Sequence, residues 1–140
     1  MKNKLITILT TTLILIPAFS YAETEKETIA RVIAAEACGE GEKGMELVAQ
    51  VINNRSKDWN KTPFRVVTAK NQFYGITASN SHKLYAQCHS TANRLAESIL
   101  TGQLGHDLTN GALYFRQPKE AVYSWHKTET LRFKNHIFYK

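Results

Sequence analysis

An apolar stripe that ends in a carboxylic acid dominates the first half of this chain. Four residues fall at the spacing i, i+3, i+4 and i+7, which defines one face of a helix: Ile29, Val32, Ile33 and Glu36. A glutamate that continues such a face is partly desolvated, and desolvation raises the pKa of a carboxyl group. The stripe therefore predicts a buried helix face carrying a perturbed acid. The alternative is that Glu36 lies at the edge of the stripe and reaches water.

The predicted helix is interrupted directly after this acid. Gly39 and Gly41 flank Glu40, and this pair of glycines favours a break in the helix. The break places Glu36 near a helix end, where the protein surface can open into a cleft. An acid that stays protonated near neutral pH beside a cleft is what glycosidic bond cleavage requires.

The first 22 residues have the three parts of a secretory signal peptide. Residues 1–4 carry two lysines, residues 5–19 carry no charge, and small residues occupy positions 20 and 22. The apolar run is short for a membrane span, although an uncleaved anchor is the alternative. We expect cleavage after Ala22, no stable membrane insertion afterwards, and a periplasmic or secreted, wall-associated protein.

The predicted mature chain, residues 23–140, has the size of one ordinary domain. It carries 16 basic and 12 acidic residues, a net charge of +4. A mild positive charge suits an anionic polymer such as the cell wall. Its lysines and arginines are scattered and form no nucleic-acid motif, so we expect no nucleic-acid partner. We also expect a monomer.

Both cysteines, Cys38 and Cys88, remain after the predicted cleavage. An even number of cysteines in an exported protein indicates a disulfide. This bridge would tie the segment after Glu36 to a second helix. The alternative, a cysteine nucleophile paired with a histidine, has no local signature and needs a free thiol in an oxidising compartment.

Periodicity and end signals predict a mostly helical α+β domain. Four helices are expected, at about residues 28–37, 45–57, 62–69 and 84–101, with an ordered loop at 71–81. Two short aromatic and aliphatic runs, at 112–115 and 137–139, are predicted to pair as a small antiparallel β element near the C-terminus.

The five histidines form no H-E-x-x-H motif and no close cluster with cysteine. We therefore expect no metal and no other cofactor. This expectation disfavours a zinc-dependent amidase that cuts the muramoyl-alanine bond.

Four segments, in order, resemble motifs of the SleB/CwlJ-type cell wall hydrolases, the family of the spore cortex-lytic enzymes. Each segment is weak alone, and the ordered set spans residues 29–139. The segments are A-E-A-C-G-E at 35–40, G-M-E-L-V-A-Q-V-I-N-N-R at 44–55, Gln72-Phe73, and G-A-L-Y-F at 111–115 with Pro118, Trp125 and His136-x-Phe138.

The resemblance implies a lysozyme-like fold, akin to lytic transglycosylases and goose-type lysozymes. It also implies cleavage of the β-1,4 bond between N-acetylmuramic acid and N-acetylglucosamine in peptidoglycan glycan strands. The catalytic acid of the family maps onto Glu36, and its second motif glutamate maps onto Glu40, which would position the loop or bind sugar.

Further motif positions match residues that would bind the substrate: Gln72, Phe73, Tyr114 and His136. For each residue a purely structural role is the alternative. Gln72 would brace a loop, Phe73 and Tyr114 would be core aromatics, and His136 would be a buried histidine whose hydrogen bonds are satisfied. Trp125 is a further candidate sugar platform. Asn53, Asn54 and Arg55 are expected to end and anchor their helix rather than contact substrate.

The chain departs from the family pattern at two places. Cys38 stands where the family often has arginine, and Tyr74 stands where serine or cysteine commonly follows Q-F. We expect no peptidoglycan-binding module before the domain. A general envelope or secretion-associated role therefore fits better than a role in spores.

The number of available carboxylates favours a lytic transglycosylase. A hydrolase needs a second, precisely placed carboxylate, whereas one acid that later acts as a base is enough for a transglycosylase. Four acids lie near Glu36 in sequence: Glu40, Glu42, Glu46 and Asp58. Of these, Glu40 and Glu42 flank glycine in a predicted loop, which is a poor place for a precisely aimed base. A hydrolytic muramidase and a non-catalytic exported peptidoglycan-binding module remain alternatives.

Overall fold

The computed structural model describes residues 22–124 and 128–140. Residues 1–21 of the predicted signal peptide lie outside this range, and so does Trp125. In the described part of the chain, no helix is long and apolar enough to cross a membrane.

The first helix, α1, comprises Glu25–Ala37 and begins earlier than predicted. Its N-cap is Thr24, four residues before the predicted start of the helix: the Thr24 hydroxyl accepts from the Glu27 N–H at 3.2 Å, and the Glu27 carboxylate accepts from the Thr24 N–H at 2.8 Å. This reciprocal capping box satisfies two N–H groups that the helix itself cannot pair. Thr28 is instead buried inside the first turn.

Helix α1 is buried on more than one face, because other elements of the domain surround it. The three aliphatic residues of the predicted stripe are fully buried, and so are Ala30 and Ala34 on the other side of the helix. Their small side chains let neighbouring elements approach the α1 backbone closely. The helix is thus the centre of the larger hydrophobic core, and Glu36 lies in its last turn.

The predicted break after α1 is confirmed. A 3₁₀ turn, Cys38–Glu40, leads into helix α2, Gly41–Asp58, and Gly41 has a φ of 80°. That left-handed backbone conformation favours glycine, which explains why α2 can begin four residues before the predicted start.

Three further elements complete the helical layer. Helix α3 is Pro63–Val67, with Thr62 as its N-cap and proline in its first turn. A 3₁₀ turn, Tyr74–Ile76, occupies the predicted loop. Helix α4, Ser81–Leu100, is kinked at Cys88 and packs along α1.

The disulfide between Cys38 and Cys88 is confirmed. It joins the turn after α1 to the kink of α4, across 50 residues of sequence. It therefore restrains the chain two residues beyond Glu36.

The sheet has three antiparallel strands in the order β1-β3-β2. Strand β1 is Tyr114–Arg116, β2 is Glu129–Phe133 and β3 is His136–Tyr139. The predicted pairing of the two apolar runs is confirmed, with Phe115 opposite Phe138. Together with the helical layer, this confirms the predicted mostly helical α+β class with a small antiparallel element late in the chain.

A polar clamp on α2 holds the loop that leads to the sheet. We use this name for Gln50 and Asn54 and their bonds to residues 106–112. The Gln50 side chain donates to the His106 carbonyl and accepts from the Leu108 N–H, both at 2.7 Å. The Asn54 amide donates to the Asp107 carboxylate at 3.1 Å and to the Ala112 carbonyl at 3.1 Å.

Asp107 organises the same loop from within. Burial acts to raise its pKa, but hydrogen bonds from Thr109, Gly111 and Asn54 outweigh burial and lower the pKa below its usual value. Asp107 is therefore ionised near neutral pH, and its carboxylate accepts the hydrogen bonds that hold this turn.

An ion pair between buried Arg31 and exposed Glu23 holds the segment before α1 against the core. Arg31, in the middle of α1, contacts the Glu23 carboxylate at 2.8 and 3.0 Å and donates to Ser81 Oγ at 3.1 Å. The hydrogen bond from Arg31 is the largest cause that lowers the pKa of Glu23. Glu23 is the first residue of the predicted mature chain.

Candidate active site

Glu36 is half-buried and is held by backbone N–H groups from a distant segment. The Gly75 N–H donates to Glu36 Oε1 at 2.6 Å, across 39 residues of sequence. The 3₁₀ turn that contains Gly75 packs directly on α1. The predicted acid is therefore at a helix end, as expected, but it is oriented by a loop.

Gly75 lies so close to α1 that a side chain would not fit. A Cβ atom there would be 2.8 Å from the Ala35 Cβ and 3.2 Å from Glu36 Oε1. Glycine thus permits the approach that brings its N–H to the carboxylate.

The pKa of Glu36 is raised above its ordinary value, as the stripe predicts. Burial is the largest cause, and the negative charge of Glu120 acts in the same direction. Hydrogen bonds from the Gly75 and Tyr74 N–H groups and the charge of Arg55 oppose this rise without cancelling it. The acid form of Glu36 is therefore favoured, and N–H donors are in place to stabilise the carboxylate when the proton leaves.

Two adjoining cavities form one cleft beside Glu36. The cavity that contains Glu36 has a volume of about 440 Å³ and the neighbouring one about 770 Å³. Four residues line both cavities and so form the passage between them: Arg55, Asn71, Gln72 and Phe115.

Arg55 is the buried cation of this cleft. It donates to the Leu113 carbonyl and, at 3.4 Å, to the Gln72 carbonyl, and its guanidinium stacks at about 5 Å on the rings of Trp59, Phe73 and Tyr114. Burial lowers its pKa to about 10. Arg55 anchors α2 to the sheet, as predicted, but it also faces both cavities, which the sequence did not indicate.

His136 is buried with one ring nitrogen unpaired. It is 3% exposed, lines the Glu36 cavity, and its Nδ1 has no hydrogen-bond partner among the described residues. Burial lowers the pKa of His136, against the charges of Glu40 and Glu120. The ring is therefore neutral near pH 7 and keeps one nitrogen available for hydrogen bonding.

The other predicted substrate-binding residues occupy different positions. Gln72 lines both cavities, and Tyr114 lines the larger one. Phe73 is buried in the hydrophobic core and lines neither cavity. Glu40 also lines neither cavity, and its carboxylate accepts from the Asn135 side chain at 3.1 Å and the Asn135 N–H at 3.3 Å. These bonds join the turn after α1 to the β2–β3 turn.

Glu120 is a second carboxylate of the Glu36 cavity that sequence reasoning missed. The Arg116 guanidinium holds the turn after β1 by donating to the Gln117, Pro118 and Glu120 carbonyls. One Glu120 carboxylate oxygen accepts from the Gln117 N–H at 2.7 Å. The signal was faint, because Glu120 is 84 residues from Glu36 in sequence and is not itself one of the motif positions.

Within residues 22–124 and 128–140, no group of three or more histidine, cysteine, aspartate or glutamate side chains could hold a metal ion. The cleft offers acids, amides, aromatic rings and one buried cation. Such a set suits hydrogen bonding and stacking with a polar polymer.

The fold and the cleft define a small, mostly helical domain with a glutamate of raised pKa beside a cleft. A family model described as Cell Wall Hydrolase matches residues 39–139. The chain belongs to this cell wall hydrolase family and is an enzyme that acts on peptidoglycan. The match begins three residues after Glu36.

Individual relatives agree with this family. The chain is 28% identical over 122 residues to the cell wall hydrolase CwlJ of Oceanobacillus iheyensis, covering 84% of this chain and 86% of that protein.

Two solved structures share the fold. The catalytic domain of the Bacillus cereus SleB protein is 24% identical with a TM-score of 0.66, covering 87% of this chain and 94% of that one. The catalytic domain of the germination-specific lytic transglycosylase SleB from Bacillus anthracis is 26% identical with a TM-score of 0.65, covering 87% and 98%.

Proposed function

We propose that this protein is a lytic transglycosylase that cleaves the β-1,4 bond between N-acetylmuramic acid and N-acetylglucosamine, with Glu36 as its acid and base. The observation that carries this proposal is the environment of Glu36. It is a desolvated acid beside a cavity, with N–H donors from residues 74 and 75 directed at its carboxyl group.

The reaction needs two proton transfers, one from Glu36 to the substrate and one from the substrate back to Glu36. Glu36 donates its proton to the glycosidic oxygen, the bond from that oxygen to muramic C1 breaks, and the N-acetylglucosamine end leaves as an alcohol. The resulting Glu36 carboxylate then accepts the proton of the muramic C6 hydroxyl while O6 bonds to C1. A 1,6-anhydro ring forms, no water is consumed, and Glu36 is again an acid.

The surroundings of Glu36 suit both halves of this cycle. Burial favours the acid before the first transfer. The Gly75 N–H at 2.6 Å and the positive charge of Arg55 stabilise the carboxylate that exists between the two transfers.

The walls of the cleft supply the groups that would hold the glycan. Neutral His136 offers its unpaired Nδ1 to a sugar hydroxyl or acetamido group. Gln72 and Tyr114 line the passage and the larger cavity. For Glu40, the bonds to Asn135 support the loop-positioning role over direct sugar binding. For Phe73, burial in the core supports an indirect role beneath Arg55.

Glu120 favours a second candidate, a hydrolytic muramidase. It lines the same cavity as Glu36, and a second carboxylate could activate water. Against this role, Glu120 is exposed and one of its oxygens already accepts from Gln117. We therefore assign it an electrostatic effect on Glu36.

Mass spectrometry of the products released from purified peptidoglycan tests the proposal. Products that end in 1,6-anhydro-muramic acid support the transglycosylase. Products with reducing muramic ends establish the hydrolase, and release of free stem peptides establishes the amidase. No product at all, together with unchanged binding by Glu36→Gln, establishes a binding module.

We also propose export through a cleaved signal peptide at residues 1–22. The pairing of Glu23 with buried Arg31 supports this site, because it gives the first residue of the predicted mature chain a place in the fold. N-terminal sequencing of protein recovered from the periplasm or medium should begin at Glu23.

A further inference from the structure

The most exposed aromatic side chain among the described residues lies at the rim of the Glu36 cavity. Tyr74 is 78% exposed, more than any other large hydrophobic residue in that part of the chain. It lines the cavity together with Glu36 and His136. Single exposed aromatic rings are common on protein surfaces, so the informative feature of Tyr74 is its position beside Glu36 in the lining of this cavity.

The backbone fixes this ring relative to Glu36. Tyr74 directly precedes Gly75, whose N–H donates to Glu36 Oε1 at 2.6 Å. The Tyr74 carbonyl accepts from the Thr77 N–H at 3.1 Å and the Ala78 N–H at 3.0 Å. The turn that holds the acid therefore also places the Tyr74 ring beside it.

A pyranose ring is the ligand that such a surface fits. One face of a sugar carries axial C–H groups and is apolar, while its edge carries hydroxyls. A tyrosine offers a flat apolar face and a polar tip, the matching arrangement. The polar edge of a sugar placed there would point into a cavity lined by Gln72, Asn80 and the unpaired nitrogen of His136.

We propose that Tyr74 is a specificity-determining platform on which the sugar ring adjoining the cleaved bond stacks. This proposal rests on the proposed glycosidase function of the same cleft. It assigns Tyr74 the task of holding the glycan so that the glycosidic oxygen meets Glu36. The interaction is with the glycan, not with the stem peptides of peptidoglycan.

Binding can be measured apart from cleavage in the Glu36→Gln background. We expect the affinity for soluble glycan strands freed of stem peptides to fall about tenfold when Tyr74→Ala is added, or about 1.4 kcal/mol. Tyr74→Phe, which keeps the ring, should retain most of the affinity. Binding of free stem peptides should be the same in all three proteins.

Kinetics in the active enzyme give a second readout. Tyr74→Ala should raise KM for glycan strands by a larger factor than it lowers kcat, and Tyr74→Phe should restore KM. Leu108→Ala is the matched control, because Leu108 is also an exposed large apolar residue but lines neither cavity. The melting temperature of Tyr74→Ala should stay unchanged, since the ring packs on little.

Equal affinity and equal KM in Tyr74→Ala and the parent proteins would overturn the proposal. So would an equal loss in Tyr74→Phe, which would assign the effect to the hydroxyl and not to stacking. If the wild-type protein cleaves nothing while Tyr74→Ala still weakens strand binding, the glycosidase function fails and Tyr74 stands as a glycan-binding residue.

Discussion

The backbone N–H of Gly75 donates a 2.6 Å hydrogen bond to the carboxylate oxygen Oε1 of Glu36. The two residues belong to different elements, the 3₁₀ turn Tyr74–Ile76 and helix α1. Because the donor is part of the main chain, no side-chain substitution at a neighbouring position removes it. The orientation of the acid is therefore a property of how the turn packs on α1.

Replacement of Glu36 by glutamine should abolish activity without unfolding the protein. The amide has nearly the same shape but cannot donate a proton, and general acid catalysis is worth about 10²–10⁴-fold in rate. Muropeptide release from purified peptidoglycan measures the effect. Glu42→Gln, at an exposed acid paired with Arg94, is the control and should stay active. A fully active Glu36→Gln would rule out both glycosidase mechanisms.

Replacement of Glu120 by glutamine should move the pH profile. Activity falls as pH rises through the pKa of Glu36, because the acid must be protonated. Since the charge of Glu120 raises that pKa, its removal should shift the alkaline limb to lower pH. The other groups that act on Glu36, Arg55 and the N–H donors of residues 74 and 75, stay in place.

The same variant separates the two roles of Glu120. If Glu120 acts only through its charge, Glu120→Gln keeps the kcat of the acidic plateau, and only the alkaline limb of the pH profile moves. A loss of kcat at every pH, with reducing muramic ends in the wild-type products, would instead make Glu120 the base of a hydrolase. Glu42→Gln should leave the limb where it is.

The disulfide should contribute substantially to stability. Closing a loop of about 50 residues is worth about 4 kcal/mol in the chain-entropy model. Urea unfolding of the Cys38→Ser, Cys88→Ser double variant should show a loss of this order, compared with the oxidised protein. Thiol titration of non-reduced, unfolded protein should find no free cysteine, and two free thiols would contradict the bridge.

The ion pair of Glu23 with Arg31 should make stability depend on pH. The pKa of Glu23 is lowered in the fold, so its contribution is present above the ordinary carboxyl pKa and is lost as pH falls through the lowered value. Glu23→Gln should cost about 1–3 kcal/mol at neutral pH, and the difference should shrink in acid. Glu25→Gln, at an exposed acid of the same region, should show neither effect.

Chelators should not change the activity. The histidine spacing contains no zinc-binding motif, and the proposed reaction needs only the proton of Glu36. Dialysis against EDTA followed by an assay on peptidoglycan checks this. Loss of activity that zinc restores would favour the amidase.

The sequence could predict those parts of the site that depend on a pattern within a few consecutive residues. The position of Glu36 on the stripe was readable because helical spacing involves only eight residues. The capping box Thr24-x-x-Glu27 was equally local. The predicted start of α1 at about Thr28 was wrong because Thr28, like Thr24, is a residue type that favours the N-cap position. Strand β2 was missed because its charged, alternating residues resemble an exposed loop, as befits a sheet edge.

The contacts that tune the acid could not be predicted in this way. Gly75 and Glu120 reach Glu36 only after α1, the 3₁₀ turn and β1 have packed together. The buried position of Phe73, next to a Gln72 that faces the cleft, likewise depends on the course of a loop without periodicity. Tertiary packing alone decides which of two adjacent residues faces the substrate.

The polar clamp also determines where this chain tolerates added residues. Gly102 and Gly105 lie in an exposed turn with open space around them, so an insertion there would extend into solvent. An insertion between Asp107 and Ala112 would break the bonds to Asn54 and carry the Leu113 carbonyl away from Arg55. Changes of loop length should therefore be tolerated at the first position and not at the second, where the chain is bonded to Asn54 and Arg55.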